Sequence, residues 1–192
     1  MKQPLFQPTQ IGDESFSLMD LTHPEIEAEI ITEMKTGVAV YYDQRWEATG
    51  ILTNWLAENL DLFKNKKVLI LGAGVGAETL ILGRHASHIY INDLAPTALK
   101  LCTEQLAENN ITTSTTLLGN YQQIPLPKVD LVVASFLVYN PDTYRAMNQY
   151  MAQHQGDLIL VNERLAPFPK LLKEHPHKIL FEKEAALGVL FS

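Results

Sequence analysis

The chain has 192 residues, a length that predicts one domain with a sizeable core. Apolar residues make up 46% and charged residues 19%, which excludes a disordered chain, and no apolar run reaches the roughly 18 residues that span a bilayer. The net charge of −7 gains little from phosphate backbones, so a basic protein or a small molecule is the expected partner rather than nucleic acid. One cysteine, Cys102, excludes an internal disulfide, and Met1 to Gln10 carries no apolar leader, so a cytoplasmic protein is expected.

Residues 1–44 read as an extension packing on or over a site, ahead of a domain over 45–192. In the extension, Phe16–Met19 and Ala39–Tyr42 read as short strands, with a hairpin one way to join them. Trp46 to Leu62 places apolar residues at Trp46, Ile51, Leu52, Trp55, Leu56 and Leu60, the spacing of one helix face. Val68–Leu71 is a continuous apolar run, as in a strand buried on both faces. Glu78–Ala86 follows as a helix and His88–Ile91 as a strand. Pro96–Glu108 is an amphipathic helix with Leu99, Cys102 and Leu106 inward and Pro96 in its first turn. Thr113–Leu118 and Asp130–Ala134 read as strands, Pro141–Gln153 as a helix and Asp157–Val161 as a strand. A Pro-containing segment precedes a closing strand pair, Lys178–Glu182 and Ala185–Phe191, joined by a tight connection. Strands alternating with helices predict an α/β fold, a parallel sheet covered on both faces, with an antiparallel strand near one edge.

Val68-Leu69-Ile70-Leu71 runs into Gly72-Ala73-Gly74-Val75-Gly76-Ala77, and an acid, Asp93, ends the next strand. Glycines let the backbone turn sharply and let a ligand approach without a Cβ in the way. The helix that follows offers free N–H groups and a partial positive charge to an anion. Asp93 can accept from both hydroxyls of a ribose, or it can cap the helix near Pro96. Gly72, Gly74 and Ala77, with an acid about 20 residues on, also satisfy the dinucleotide fingerprint. The turn by itself does not choose between a nicotinamide dinucleotide and S-adenosylmethionine. No Tyr-x-x-x-Lys follows the fourth strand, and the terminal strand pair does not suit a plain dinucleotide fold.

Three blocks in order carry a family resemblance: Arg45-Trp46-Glu47-Ala48, then Val68 to Gly76, then Val133-Ala134-Ser135-Phe136-Leu137-Val138-Tyr139-Asn140-Pro141. Over roughly residues 35–192 the chain resembles the seven-strand (class I) S-adenosylmethionine-dependent methyltransferases. More narrowly it resembles the branch that methylates lysines of valosin-containing protein, Hsp70-type chaperones and the electron-transfer flavoprotein β subunit. The resemblance implies a Rossmann-like seven-stranded sheet of order 3-2-1-4-5-7-6, strand 7 antiparallel, with S-adenosyl-L-methionine above the C-terminal strand ends. It implies that Gly72, Ala73, Gly74 and Gly76 face the methionine part, Asp93 the ribose and Leu94 the adenine border. Asn120 and Tyr121 would lie beside the adenine ring, Ser135 below the cofactor, and Trp46 would form a wall. Two positions depart from the family: Ile70 stands where the first strand has an acid, and Phe136 replaces the aspartate of the Asp-x-x-Tyr motif, leaving Tyr139.

Methyl transfer from a sulfonium needs the nucleophile held at near-attack distance more than it needs acid–base machinery. Tyr139 and Phe136 are the substrate-side candidates for catalysis, and with Trp46 they offer aromatic faces to a cation. Core packing is the alternative for Trp46 and Phe136. No metal site is expected: His175-Pro176-His177 has no further ligand at useful spacing and reads as a surface loop. His85 and His88 are expected to face solvent, and Cys102 to be a buried, unreactive thiol. Glu163 and Arg164 either touch substrate or pair with each other, and Tyr41 to Arg45 either line the substrate mouth or cover the core edge. The expected function is N-methylation of a protein, lysine-type substrate by an S-adenosylmethionine-dependent enzyme. The alternatives are a non-catalytic fold that binds the cofactor and a small-molecule N- or O-methyltransferase, with a nicotinamide-dependent oxidoreductase a distant further one.

Overall fold

In the computed structural model, which describes residues 4–183 and 186–192, the extension begins with a hairpin. β1 (Phe6–Ile11) pairs antiparallel with β2 (Glu14–Met19) through the two-residue connection Gly12-Asp13. This corrects the expected pairing: Ala39–Tyr42 is irregular, and the partner of Phe16–Met19 is β1. Pro8 disguised β1, but in a two-stranded ribbon it costs only one ladder bond. A helix that sequence periodicity left unread, α1 (Pro24–Met34), follows. His23 caps it by accepting from the Glu25 N–H, Pro24 fills its first turn, and Ile26 and Ile30 form its buried stripe.

The expected helix at Trp46 is α2 (Glu47–Glu58), with Trp46 as its N-cap and a 3₁₀ turn at Leu60–Leu62. Then come β3 (Lys67–Leu71), α3 (Glu78–His85), β4 (His88–Asp93), α4 (Pro96–Glu108), β5 (Ser114–Leu118), β6 (Leu131–Ser135), α5 (Pro141–Gln153) and β7 (Asp157–Glu163). The Pro-containing segment is a further helix, α6 (Pro167–Glu174), whose prolines sit in the first turn, where no N–H is needed. β8 (Lys178–Lys183) and β9 (Ala186–Phe191) close the chain. The tight connection expected between them, and Ala185, lie outside the described residues.

The main sheet runs β5-β4-β3-β6-β7-β9-β8, and β9 is antiparallel to both neighbours. Numbered within the sheet, this is the expected order 3-2-1-4-5-7-6. Alternation along the central strands divides the core. Val68, Ile70, Val133, Ile159 and Val161 pack with α2, α3 and α4 on one face. Leu69, Leu71, Val132, Leu158 and Leu160 pack with α5 and α6 on the other. A third cluster joins Met19, Ile26, Ile30 and Tyr42 of the extension to Val75 and to Ala98 and Leu101 of α4. Burying side chains of this size contributes roughly 1.5–3 kcal/mol each, so the extension is bound to the sheet domain by its own core.

α4 also holds the hairpin through side-chain amides. Asn109 accepts from Ser17 N at 2.8 Å and donates to Ser17 O at 2.8 Å, while Gln105 accepts from Met19 N at 2.9 Å. The ends of β3, β4 and β6 meet at one crest, where strand order reverses at β3. Open α/β sheets bind ligands at such a switch point. No helix among the described residues is long and apolar enough to cross a membrane.

Candidate functional site

At this crest lies a cavity of about 430 Å³. Its floor is the glycine turn. Gly72 and Gly74 have φ of +59° and +54°, a region that L side chains rarely adopt. A Cβ on Gly72 would also lie 2.5 Å from the Leu137 side chain, and one on Gly74 3.2 Å from Cβ of Tyr42. The turn is tied down from β4: Asp93 Oδ2 accepts from Gly74 N at 2.8 Å and Oδ1 from Ala95 N at 2.9 Å. Asp93 therefore caps the start of α4 and also faces the cavity. Burial raises its carboxyl pKa, and the N–H groups of Ala95 and Gly74 oppose that shift. Each oxygen keeps a lone pair for a further donor such as a ribose hydroxyl.

One wall is aromatic. The Trp46 ring stacks on Phe136 with centroids 4.3 Å apart and planes 15° apart, and Phe136 stacks on Tyr139 at 5.6 Å. Tyr41 leans on Tyr139 at 5.5 Å. Trp46 is fixed by its indole N–H, which donates to Tyr41 O at 2.8 Å. Phe136 has φ of +52°, a strained conformation for a bulky residue. It is held there because its N–H donates to Val161 O at 2.8 Å and the next turn is clamped by Asn162. That buried amide accepts from Val138 N at 2.9 Å and donates to Val138 O at 2.9 Å. The capping box of Asn140 and Thr143 starts α5 directly afterwards. Burial pushes the Tyr139 hydroxyl up to about 12, with Tyr41 adding to the effect, so it is a neutral hydrogen-bonding group at neutral pH.

The cover comes from the segment between α1 and α2. Tyr41, Tyr42, Gln44 and Arg45 line the cavity. The Tyr42 hydroxyl donates to Glu33 of α1, and Glu33 also accepts from Thr97 N of α4 at 2.8 Å. Burial raises the Glu33 pKa, but the hydrogen bonds from Tyr42 and Thr97 outweigh that and hold it below the ordinary carboxylate value. The Arg45 guanidinium donates to Met19 O of β2. Thr49 and Ser135 share a hydrogen bond at 2.8 Å, closing the space beneath the aromatic wall.

Eleven of the twelve residues that the resemblance singles out line the cavity: Trp46, Gly72, Ala73, Gly74, Gly76, Asp93, Leu94, Tyr121, Ser135, Phe136 and Tyr139. Asn120 does not, because its Oδ1 accepts from Gln122 N at 2.9 Å and its side chain shapes the turn instead. Asn92 and Asn162 escaped the sequence reading. Asn92 donates to Leu117 O and Gly119 O and so fixes the loop that carries Tyr121. A buried polar residue one place before a strand's end was the available signal in both cases.

Elsewhere, Arg164 pairs with Glu182, not with Glu163. His85 is half-buried against Glu14 rather than facing solvent, whereas His88 bonds Thr115 at the exposed edge. Cys102 is buried on α4, and burial pushes its thiol up to about 12. No group of side chains among the described residues could hold a metal ion.

Residues 23–161 match the model of a family described as lysine methyltransferase. The chain belongs to the lysine methyltransferase family. Among its curated relatives is the human electron transfer flavoprotein beta subunit lysine methyltransferase, 30% identical over 58% of this chain and 43% of that protein. Another is the EEF1A lysine methyltransferase 3 of Xenopus tropicalis, 31% identical over 60% of this chain and 54% of that one. The chain spans about half the length of these family members. The fold is shared with the 16S rRNA N2 G1207 methyltransferase of T. thermophilus, solved with AdoMet and guanosine, at a TM-score of 0.71 and 17% identity. That superposition covers 97% of this chain and 50% of the other.

Proposed function

We propose that this protein is an S-adenosylmethionine-dependent methyltransferase acting on a lysine side chain of a protein. The observation that carries this is one cavity bounded by the glycine turn, the Asp93 carboxyl and the stacked Trp46–Phe136–Tyr139 wall, in a chain of the lysine methyltransferase family. The residues present fit the donor. The turn at Gly72 and Gly74 leaves no room for Cβ atoms and so suits close approach of a methionine chain. Asp93 has acceptor capacity for ribose hydroxyls, and Leu94 and Tyr121 are apolar surface for an adenine. Bound there, the donor supplies an electrophilic methyl on a sulfonium.

The chain's own groups then position and desolvate the target. Apolar walls favour the unprotonated form of a lysine amine, whose ordinary pKa is about 10.4. The faces of Trp46, Phe136 and Tyr139 attract an incoming cation by roughly 0.5–2 kcal/mol. The neutral Tyr139 hydroxyl can hold the amine by a hydrogen bond. The segment ahead of α2 serves as the cover of this site, since Tyr41, Tyr42 and Arg45 reach into it. The net charge of −7 supports a protein rather than a nucleic-acid substrate, and a lone buried cysteine supports a reducing, cytoplasmic setting.

Isothermal titration with S-adenosylmethionine and S-adenosylhomocysteine tests the donor, and absence of binding at millimolar concentration overturns it. Labelling of lysate proteins with methyl-tritiated donor, followed by mass spectrometry of labelled peptides, tests the target. A methylated lysine supports the reading, while binding with no labelled protein would leave a non-catalytic fold or a small-molecule enzyme.

A further inference from the structure

Glu78 opens α3 and is 1% exposed. Its Oε2 has no hydrogen-bond partner among the described residues. The carboxyl occupies the space beside the Gly76 Cα: a Cβ built on Gly76 would lie 2.0 Å from Oε2 and 2.5 Å from Oε1. Gly76 lines the cavity, so the acid stands directly behind the cavity floor at a residue with no side chain. Thr79 donates to Gly76 O at 2.8 Å and Gln105 Nε2 lies 3.5 Å from the same oxygen, while the carboxyl is met by its own backbone N–H and Oε2 is left over. A buried carboxyl with an unused oxygen keeps a desolvation cost that a donor would relieve. Ile70, in the middle of β3, is apolar and buried, so the first strand offers no charge to a ligand in the turn.

We propose that Glu78 is the acceptor for the α-ammonium group of an amino-acid-bearing ligand seated in the glycine turn, an inference that rests on the methyl-donor reading above. Burial pushes the free carboxyl up to about 8, so at pH 7 it carries a proton. The titratable groups around it are Arg45 from the cover and Cys102 on α4. Arg45 favours the carboxylate, and Cys102 stays a neutral thiol. When the ammonium docks, the Glu78 proton leaves to solvent and a carboxylate–ammonium pair forms. Glu78 thereby supplies, from the helix, the negative charge that Ile70 withholds from the strand.

Isothermal titration of the full chain at pH 7, wild type and Glu78→Gln, uses S-adenosylhomocysteine and 5′-methylthioadenosine, which lacks the amino-acid end. Expected is at least a tenfold loss of S-adenosylhomocysteine affinity in Glu78→Gln, with 5′-methylthioadenosine within twofold of wild type. The retained nucleoside binding doubles as the control for folding. Titration in buffers of different ionisation enthalpy is expected to show release of close to one proton per S-adenosylhomocysteine bound by wild type, above that for 5′-methylthioadenosine. That readout needs no variant. Unchanged affinity, an equal loss for both ligands, or equal proton release for both would overturn the role of Glu78 while leaving the donor site standing. Failure of wild type to bind either ligand would instead sink the donor reading, and this inference with it.

Discussion

The Asp93 carboxylate receives the N–H of Gly74 across 2.8 Å, so the end of β4 and the glycine turn after β3 are one unit. Removing the carboxylate frees two backbone donors, those of Gly74 and Ala95, and takes away the acceptor proposed for the ribose. Asp93→Ala is expected to lower stability by about 1–3 kcal/mol and to weaken S-adenosylhomocysteine binding more than tenfold. Denaturant melts and calorimetric titration check this. Unchanged affinity would place the ribose elsewhere.

The Trp46–Phe136 stack makes a separable contribution. Trp46→Ala removes the ring and the bond to Tyr41 O, while the α2 core at Leu52 and Leu56 stays packed. The expected result is a several-fold rise in the KM for the methyl acceptor, on the scale of about 1 kcal/mol for a cation–π contact. Trp46→Phe should recover most of it. Equal activity of all three proteins would assign the stack to packing alone.

Gly74→Ala tests the turn. The new Cβ must accept φ of +54° and press on Cβ of Tyr42 at 3.2 Å. The left-handed backbone costs about 1–2 kcal/mol for a residue with a Cβ. A lowered Tm with a loss of donor affinity is the expected outcome, read by differential scanning calorimetry with and without S-adenosylhomocysteine.

Asn162 sets the shape of the strained turn without lining the cavity. Asn162→Leu keeps volume but strands the N–H and C=O of Val138. We expect destabilisation of roughly 2–4 kcal/mol and a larger loss of acceptor methylation than of donor binding, since Asn162 clamps the segment that carries Phe136 and Tyr139. Loss of both functions to the same degree would point to general unfolding instead.

Glu78 predicts a pH dependence with a definite sign. An acid whose native pKa is raised from 4.5 to about 8 binds more protons folded than unfolded between those values. Its contribution is most favourable below about pH 4.5 and is lost as pH rises through about 8. Wild-type stability should therefore fall by about 5 kcal/mol from this group over that window, and Glu78→Gln should flatten the curve. Urea melts from pH 5 to 9 measure it, and parallel curves for the two proteins would refute the assignment.

The central sheet was legible because its strands are buried on both faces and spell continuous apolar runs, as at Val68–Leu71. The cavity was legible where a residue type is demanded by geometry, as at Gly72 and Gly74, or where ordered blocks carried the resemblance, as at Trp46 and Ser135. The extension was not. α1 shows only Ile26 and Ile30 as a fully buried apolar stripe among glutamates, and α6 hides behind Pro167 and Pro169. Asn120 shapes a turn and does not line the cavity, and spacing does not tell which of these an asparagine will do. A long-range clamp such as Asn162 to Val138 shows in the sequence only as a polar residue near the end of an apolar strand, which does not name its partner.

The side-chain amides of Asn109 and Gln105 grip β2 from α4, and neither lines the cavity. Arg45 holds β2 at the same residue as Gln105, through Met19 O. A ligand that settles against Arg45 thus loads a strand that Gln105 and Asn109 tie to α4, the helix that begins three residues after Asp93. Occupancy should be readable at a distance, as slower deuterium uptake at the Ser17 and Met19 amides, making the hairpin a reporter for events it never touches.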